Sequence, residues 1–142
     1  MNDEKKIFIT GASGGIGLAI CDNFVKKKYN LILTSSSNEK IQFLKNKYGK
    51  NHFYYKVDIS DSKNLQNCID EISNDHKNIS VIVNNAGTTE DNLIFRMKDE
   101  QWYSVIQTNL NSSYQIIKSL LPNMLSRKYG KIIGISSIVA ST

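Results

Sequence analysis

Thr10-Gly11-Ala12-Ser13-Gly14-Gly15-Ile16-Gly17 follows the apolar run Lys6-Ile7-Phe8-Ile9 and leads into an amphipathic stretch from Ile16 to Lys28. A strand, a glycine-rich turn and a helix start, in that order, build a cradle for phosphate. Gly11 permits the tight turn, and Gly15 lets the backbone approach a pyrophosphate with no Cβ in the way. Gly17 lets the helix pack close to the strand, and the N–H groups of Ser13, Gly15 and Ile16 lie where the helix start meets an anion. An ordinary strand-to-helix turn would use the same glycines, so the residues further along decide between the two readings.

Outward from this octapeptide, hydrophobic periodicity predicts strands at Lys6–Thr10, Asn30–Ser35, His52–Asp58, Ser80–Asn84 and Lys131–Ser136. Most are short, near-continuous apolar runs, as parallel strands covered on both faces require. Helical patterns lie between them at Ile16–Lys28, Asn38–Tyr48 and Lys63–Asp75, then from about Asp99 through Asn109 and from about Asn111 to Arg127. Helix-sized connections between successive strands make right-handed βαβ units. The fold class is therefore α/β, a doubly wound parallel sheet in a single domain over residues 1–142, without internal repeat or linker.

The chain has 142 residues, 40% hydrophobic and 22% charged, enough to bury one core. No apolar stretch reaches membrane-spanning length, and Met1-Asn2-Asp3-Glu4-Lys5-Lys6 lacks a secretory signal pattern, so a cytoplasmic protein with no membrane partner is expected. Cys21 and Cys68 lack metal-ligand spacing and read as reduced, buried thiols, with no metal site. The net charge of +5 comes from lysines scattered over helix faces, without an aromatic-interleaved basic stripe, which argues against nucleic acid.

In such sheets ligands bind beyond the carboxyl ends of the strands, where strand order reverses. Asp58, followed by Ile59, closes the third strand and can meet an adenine edge there, or serve as a turn or capping acid. Asn84-Asn85-Ala86-Gly87 closes the fourth. Its asparagine amides can tie strand ends together, and the small Ala86-Gly87 pair leaves room for a ribose, unless the segment is a simple Asn-Gly-type turn.

Taken in order, Thr10-Gly11-x-x-x-Gly15-x-Gly17, Asp58, Asn84-Asn85-Ala86-Gly87, Asn109 in Thr-Asn-Leu, and Ser137 resemble the short-chain dehydrogenase/reductases over essentially the whole chain. Asp91-Asn92-Leu93-Ile94-Phe95-Arg96-Met97-Lys98 followed by Trp102 resembles, within them, the 3-oxoacyl-[acyl-carrier-protein] reductases of fatty-acid synthesis. The resemblance implies a Rossmann-type domain, here C-terminally incomplete, and hydride transfer between a nicotinamide cofactor and a carbonyl. It implies a homo-oligomeric full-length form. The end of the second strand reads Leu33-Thr34-Ser35-Ser36-Ser37-Asn38 with no acid, so Ser35 and Ser36, with Lys40 as a possible aid, favour NADP(H) over NAD.

By the same resemblance Ser137 orients the carbonyl and Asn109 serves a proton relay, with Ser136 as the alternative serine. The family's Tyr-x-x-x-Lys, which supplies the general acid, does not follow Ser137 before Thr142. Tyr114-Gln115-Ile116-Ile117-Lys118 has the spacing but precedes Ser137, so order excludes it. The expectation is the N-terminal part of a longer reductase, inactive alone. A non-catalytic dinucleotide-binding remnant, or a reductase of another small carbonyl, is the alternative. Ile132-Ile133-Gly134-Ile135 would then form an unprotected apolar edge. Acyl carrier proteins are acidic, and Arg127-Lys128, with Arg96 second, are candidates for steering one to the site mouth. A basic pair that complements a helix end is the plainer reading of the same residues.

Overall fold

A computed structural model describes residues 5–137. Met1–Glu4 and Thr142, on which the leader and chain-end expectations rest, lie outside them. Five parallel strands, β1 (Lys6–Ile9), β2 (Asn30–Ser35), β3 (Phe53–Lys56), β4 (Ile79–Asn84) and β5 (Lys131–Gly134), form one sheet in the order β3-β2-β1-β4-β5. Strand order reverses between β1 and β4. The helices are α1 (Gly15–Lys26), α2 (Asn38–Tyr48), α3 (Ser62–Asp75), α4 (Asp99–Ile106) and α5 (Ser112–Ser126).

Successive strand residues point to opposite faces, and the two cores sort by that alternation. Phe8, Ile32 and Ile82 pack with Leu65, Ile69 and Ile72 of α3 and Ile116, Leu120 and Met124 of α5. Ile7, Ile9, Leu31, Leu33, Val81 and Val83 pack on the other face with Cys21 of α1 and Ile41 and Leu44 of α2. Both cysteines are buried and free; burial pushes the Cys21 thiol up to about 12 and Cys68 up to about 11, which keeps them as unreactive thiols.

Most boundaries shift by a residue or two from the periodicity, and three of the departures bear on the site. β3 ends at Lys56, and Val57 still donates its N–H to the Ser35 carbonyl as the chain departs. β5 ends at Gly134, with the Ile135 N–H on the Asn84 carbonyl. Between α4 and α5 the chain does not break: Gln107–Asn111 is a π-helical segment continuous with both. Among the described residues no helix is long and apolar enough to cross a membrane.

Candidate cofactor and active site

The helix starts differ in a way that marks the site. Ser37 Oγ caps α2 by accepting from Lys40 N, and Asp61 caps α3 by accepting from Lys63 N and Asn64 N. α1 begins at Gly14 with no side-chain cap. Its first N–H groups have no intrahelical partner by helix geometry, and the helix dipole adds positive potential there. They border a cavity of about 700 Å³ at the carboxyl ends of the strands.

The glycines hold this cradle as expected, each in its own way. Gly11 has φ +61, and a Cβ on it would stand 2.9 Å from the Ala86 Cα. A Cβ on Gly17 would stand 2.2 Å from the Gly11 carbonyl oxygen, so α1 rests directly on the turn. A Cβ on Gly15 would meet nothing within 4 Å. The space over Gly15 is thus open to a ligand rather than filled by the protein.

Across the switch point, Thr10 Oγ1 accepts from both Asn85 N and Ala86 N at 3.0 Å. Asn85 Nδ2 donates to the Thr10 and Gly11 carbonyls at 3.1 Å. These four bonds lock the end of β4 to the glycine turn and set the floor of the cavity. All twelve expected cofactor residues line it: Gly11, Ser13, Gly15, Ile16 and Gly17 from the turn, and Ser35 and Ser36 at the end of β2. Asp58 and Ile59 follow β3, and Asn85, Ala86 and Gly87 follow β4. Ser13 and Ser35 share a hydrogen bond at 2.7 Å, and Lys40 Nζ donates to Ser36 Oγ at 3.4 Å. The Asp58 carboxylate accepts from Ser60 N at 3.0 Å and Ser60 Oγ at 2.6 Å, both at Oδ1. Asp58 is therefore both a turn acid and a wall of the cavity; the helix cap is Asp61.

The reading of strand ends overlooked Thr34, Thr88, Ser104 and Thr108, which also line the cavity. Thr34 Oγ1 is buried without a partner among the described residues. Ser104 and Thr108 lie one helical turn apart in sequence, a spacing that would have exposed them had the helix been placed against the cavity.

Asn109 sits in the π-helical segment, where Oδ1 accepts from Thr88 N and Nδ2 donates to the Thr88 carbonyl, both at 2.8 Å. This pair fastens the loop after β4 to the helix. π-Segments inside α-helices recur at functional sites. Ser136 and Ser137 follow the carboxyl end of β5, at the cavity end of the sheet, but neither lines the cavity. Tyr114 and Lys118 share an exposed face of α5, with Lys118 Nζ 5.5 Å from the ring centroid, and neither lines the cavity.

Arg127 and Lys128, the expected steering pair, do not line this cavity. Arg127 and Lys128 precede β5, and the amino ends of parallel strands lie opposite the cavity. Arg127 Nε donates to the Asn123 carbonyl at 3.1 Å, and its guanidinium also donates to the carbonyl of Ile79 at the start of β4. Arg127 thus ties α5 to the sheet and does not flank the mouth of this cavity. Arg96, in the 3₁₀ turn Ile94–Arg96 that follows β4, is on the segment leaving the cavity end.

A doubly wound sheet with a glycine cradle and an uncapped helix start at its switch point defines a dinucleotide-binding α/β protein. The family model described as short chain dehydrogenase matches residues 5–142, and the chain belongs to that family of oxidoreductases. It is 36% identical over 138 residues to the 3-oxoacyl-[acyl-carrier-protein] reductase FabG of Haemophilus influenzae, covering 97% of this chain and 57% of that protein. Against the Escherichia coli reductase of the same name the identity is 35% over 142 residues, 99% of this chain and 58% of the relative. The chain thus spans less than two thirds of the length of these relatives. Among solved structures, ElxO with NADP bound is similar at a TM-score of 0.86 and 30% identity, over 98% of this chain and 58% of that one. A metagenomic short-chain oxidoreductase in complex with NADP gives 0.87 and 29%, over 94% and 62%.

Proposed function

We propose that the cavity binds NADP(H), and that the protein to which this chain belongs reduces a 3-oxoacyl group carried on acyl carrier protein to the 3-hydroxyacyl form. The observation that carries the cofactor assignment is the uncapped start of α1 with open space over Gly15. Beside it stand Ser13, Ser35, Ser36 and Lys40, with no carboxylate at the end of β2. An acid at that place would accept from a ribose 2′-hydroxyl and repel a 2′-phosphate; hydroxyls and an ammonium favour the phosphate. The solved relatives named above with NADP support the same cofactor. The substrate rests on the identity to the two FabG reductases.

When bound, the reduced nicotinamide supplies a hydride to the carbonyl carbon. The carbonyl π pair then moves to oxygen, which needs a hydrogen bond and afterwards a proton. Ser137 Oγ is assigned to donate that hydrogen bond and so to orient the carbonyl. Asn109 Oδ1 and Nδ2 each keep a second hydrogen-bonding position beside their bonds to Thr88, and the relay role is assigned to this residue. Within residues 1–142 no Tyr-x-x-x-Lys follows Ser137. By the family resemblance the general acid belongs to a Tyr-x-x-x-Lys that follows the serine, and losing that function alone lowers a rate by roughly 10²–10⁴.

Titrating the chain with NADPH and NADH tests the cofactor. NADPH binds more tightly, and Lys40→Glu removes most of that advantage while sparing NADH; equal wild-type affinities contradict the assignment. Reduction of a 3-oxoacyl thioester by residues 1–142 alone, at an ordinary enzymatic rate, would overturn the account of the acid. For the carrier, a protein completed with a Tyr-x-x-x-Lys segment prefers carrier-linked over free thioester. Arg96→Glu weakens that preference, whereas Lys128→Glu, at the opposite end of the sheet, leaves it unchanged. No preference in the parent protein removes the carrier from the proposal.

A further inference from the structure

The chain has two histidines, and both bear on β3. Among the described residues β3 is an edge strand of four residues that pairs with β2. At the head of β3, His52 Nδ1 accepts the Leu31 N–H of β2 at 3.1 Å. On the other side, His76 caps the end of α3 and is 3% exposed. Its Nδ1 lies 3.1 Å from Lys6 Nζ of β1, and its Nε2 lies 2.8 Å from the Tyr55 hydroxyl of β3. An ammonium can only donate, so Nδ1 accepts and the ring proton sits on Nε2, which donates to Tyr55. The Phe53 ring of β3 stands edge-on to the imidazole at 4.4 Å, with Lys6 Nζ 4.7 Å from the Phe53 centroid.

Both rings therefore work in the neutral state, each through an acceptor nitrogen facing a donor that cannot reverse its role. A second proton on His52 would set N–H against N–H. On His76 it would set a charged ring against the Lys6 ammonium. Burial, and after it Lys6, hold His76 below the usual histidine value, with Asp75 opposing. Burial holds His52 below it as well. Further titratable groups near the rings are Tyr55, pushed up to about 12 by burial and then by Asp75 and Glu71 of α3, and Tyr48 of α2, whose ring is 6.3 Å from His52 and whose hydroxyl donates to Asp22. These phenols stay protonated through the histidine range.

We propose that His52 and His76 form a pH-sensitive latch that holds β3 on the sheet, and that protonating them loosens the strand together with the cavity wall that follows it. Val57, Asp58, Ile59 and Ser60 continue directly from β3 and line the cavity. Loosening them couples proton uptake to loss of bound nucleotide. This second half rests on the reading of the cavity as a nucleotide site; the latch itself does not.

The sign follows from the direction of the shifts. The unfolded or released strand takes up protons first as pH falls below the ordinary histidine value of 6.5. Latch stability is present above that value and is lost as pH falls through the lower folded values.

The test uses the 142-residue chain without ligand, with histidine ring NMR and amide hydrogen exchange between pH 8 and pH 5. Both imidazoles are expected to titrate below 6.5. Exchange at Tyr54–Val57, corrected for intrinsic rates, is expected to rise about tenfold on acidification, while β1 and β4 amides hold. Midpoints at or above 6.5, or unchanged exchange at Tyr54–Val57, overturn the latch. His52→Asn with His76→Asn keeps an acceptor near each Nδ1 position without a titrating ring, and it flattens the pH dependence. NADPH affinity measured in parallel falls with the opening; an affinity that holds while exchange rises overturns the coupling. Failure to bind NADPH even at pH 8 refutes the nucleotide reading and leaves the latch to stand or fall on exchange.

Discussion

The glycine turn beside β1 and the far margin at β5 are built from similarly apolar strands, yet they are held in opposite ways. Ile7, Phe8 and Ile9 are buried on both faces, and the turn after them is held by four hydrogen bonds to Asn85, Ala86 and Thr10. On β5 and just after it, Ile132, Ile133 and Ile135 remain 44%, 40% and 41% exposed among the described residues. The nucleotide cradle thus stands on β1 and the end of β4, both enclosed, whereas Ser137 follows β5, the last strand of the sheet among the described residues.

The contrast can be broken most severely in the core. Phe8→Ala should cost about 3–5 kcal/mol, because the side chain is fully enclosed and the cavity cannot collapse. Ile133→Ala on the β5 margin should cost about 1–1.5 kcal/mol, since 40% of that residue stays exposed and less area is withdrawn from water there. Urea unfolding of both variants measures the gap, and equal losses would erase the distinction. Gly17→Ala comes next, at about 1–3 kcal/mol of overpacking, because its new Cβ meets backbone that has nowhere to move. NADPH binding should fall with it. Thr10→Val leaves two backbone N–H groups without their shared acceptor and should cost about 1–3 kcal/mol. Chemical shifts should move at Asn85 and Ala86 first; a Thr10→Val chain as stable as wild type would show that the lock between β4 and the turn carries little.

Much of this was legible in the sequence because it is periodic or local. The strands come from short apolar runs, α2 falls at Asn38–Tyr48 as its pattern requires, and the glycines of the turn read correctly from their spacing. The π segment at Gln107–Asn111 left no trace, since one widened turn hardly alters a helical period. His76 is invisible for another reason: its partners Lys6 and Tyr55 are 70 and 21 residues away and meet only through the sheet order. Residues that precede a parallel strand lie at the end opposite those that follow one, so Arg127-Lys128, before β5, sits away from the carboxyl-end cavity.

Gly15→Ala tests the central claim most directly, because it separates the cradle's packing from its ligand. The added Cβ meets no protein atom within 4 Å, so the fold should be as stable as wild type or slightly more so. A pyrophosphate over α1 would meet it, and NADPH affinity measured by titration should weaken by about tenfold or more, a loss of at least about 1.4 kcal/mol. Wild-type stability with weakened NADPH is the predicted result. A Gly15→Ala chain that binds NADPH as tightly as the parent would place the cofactor phosphates somewhere other than this cradle.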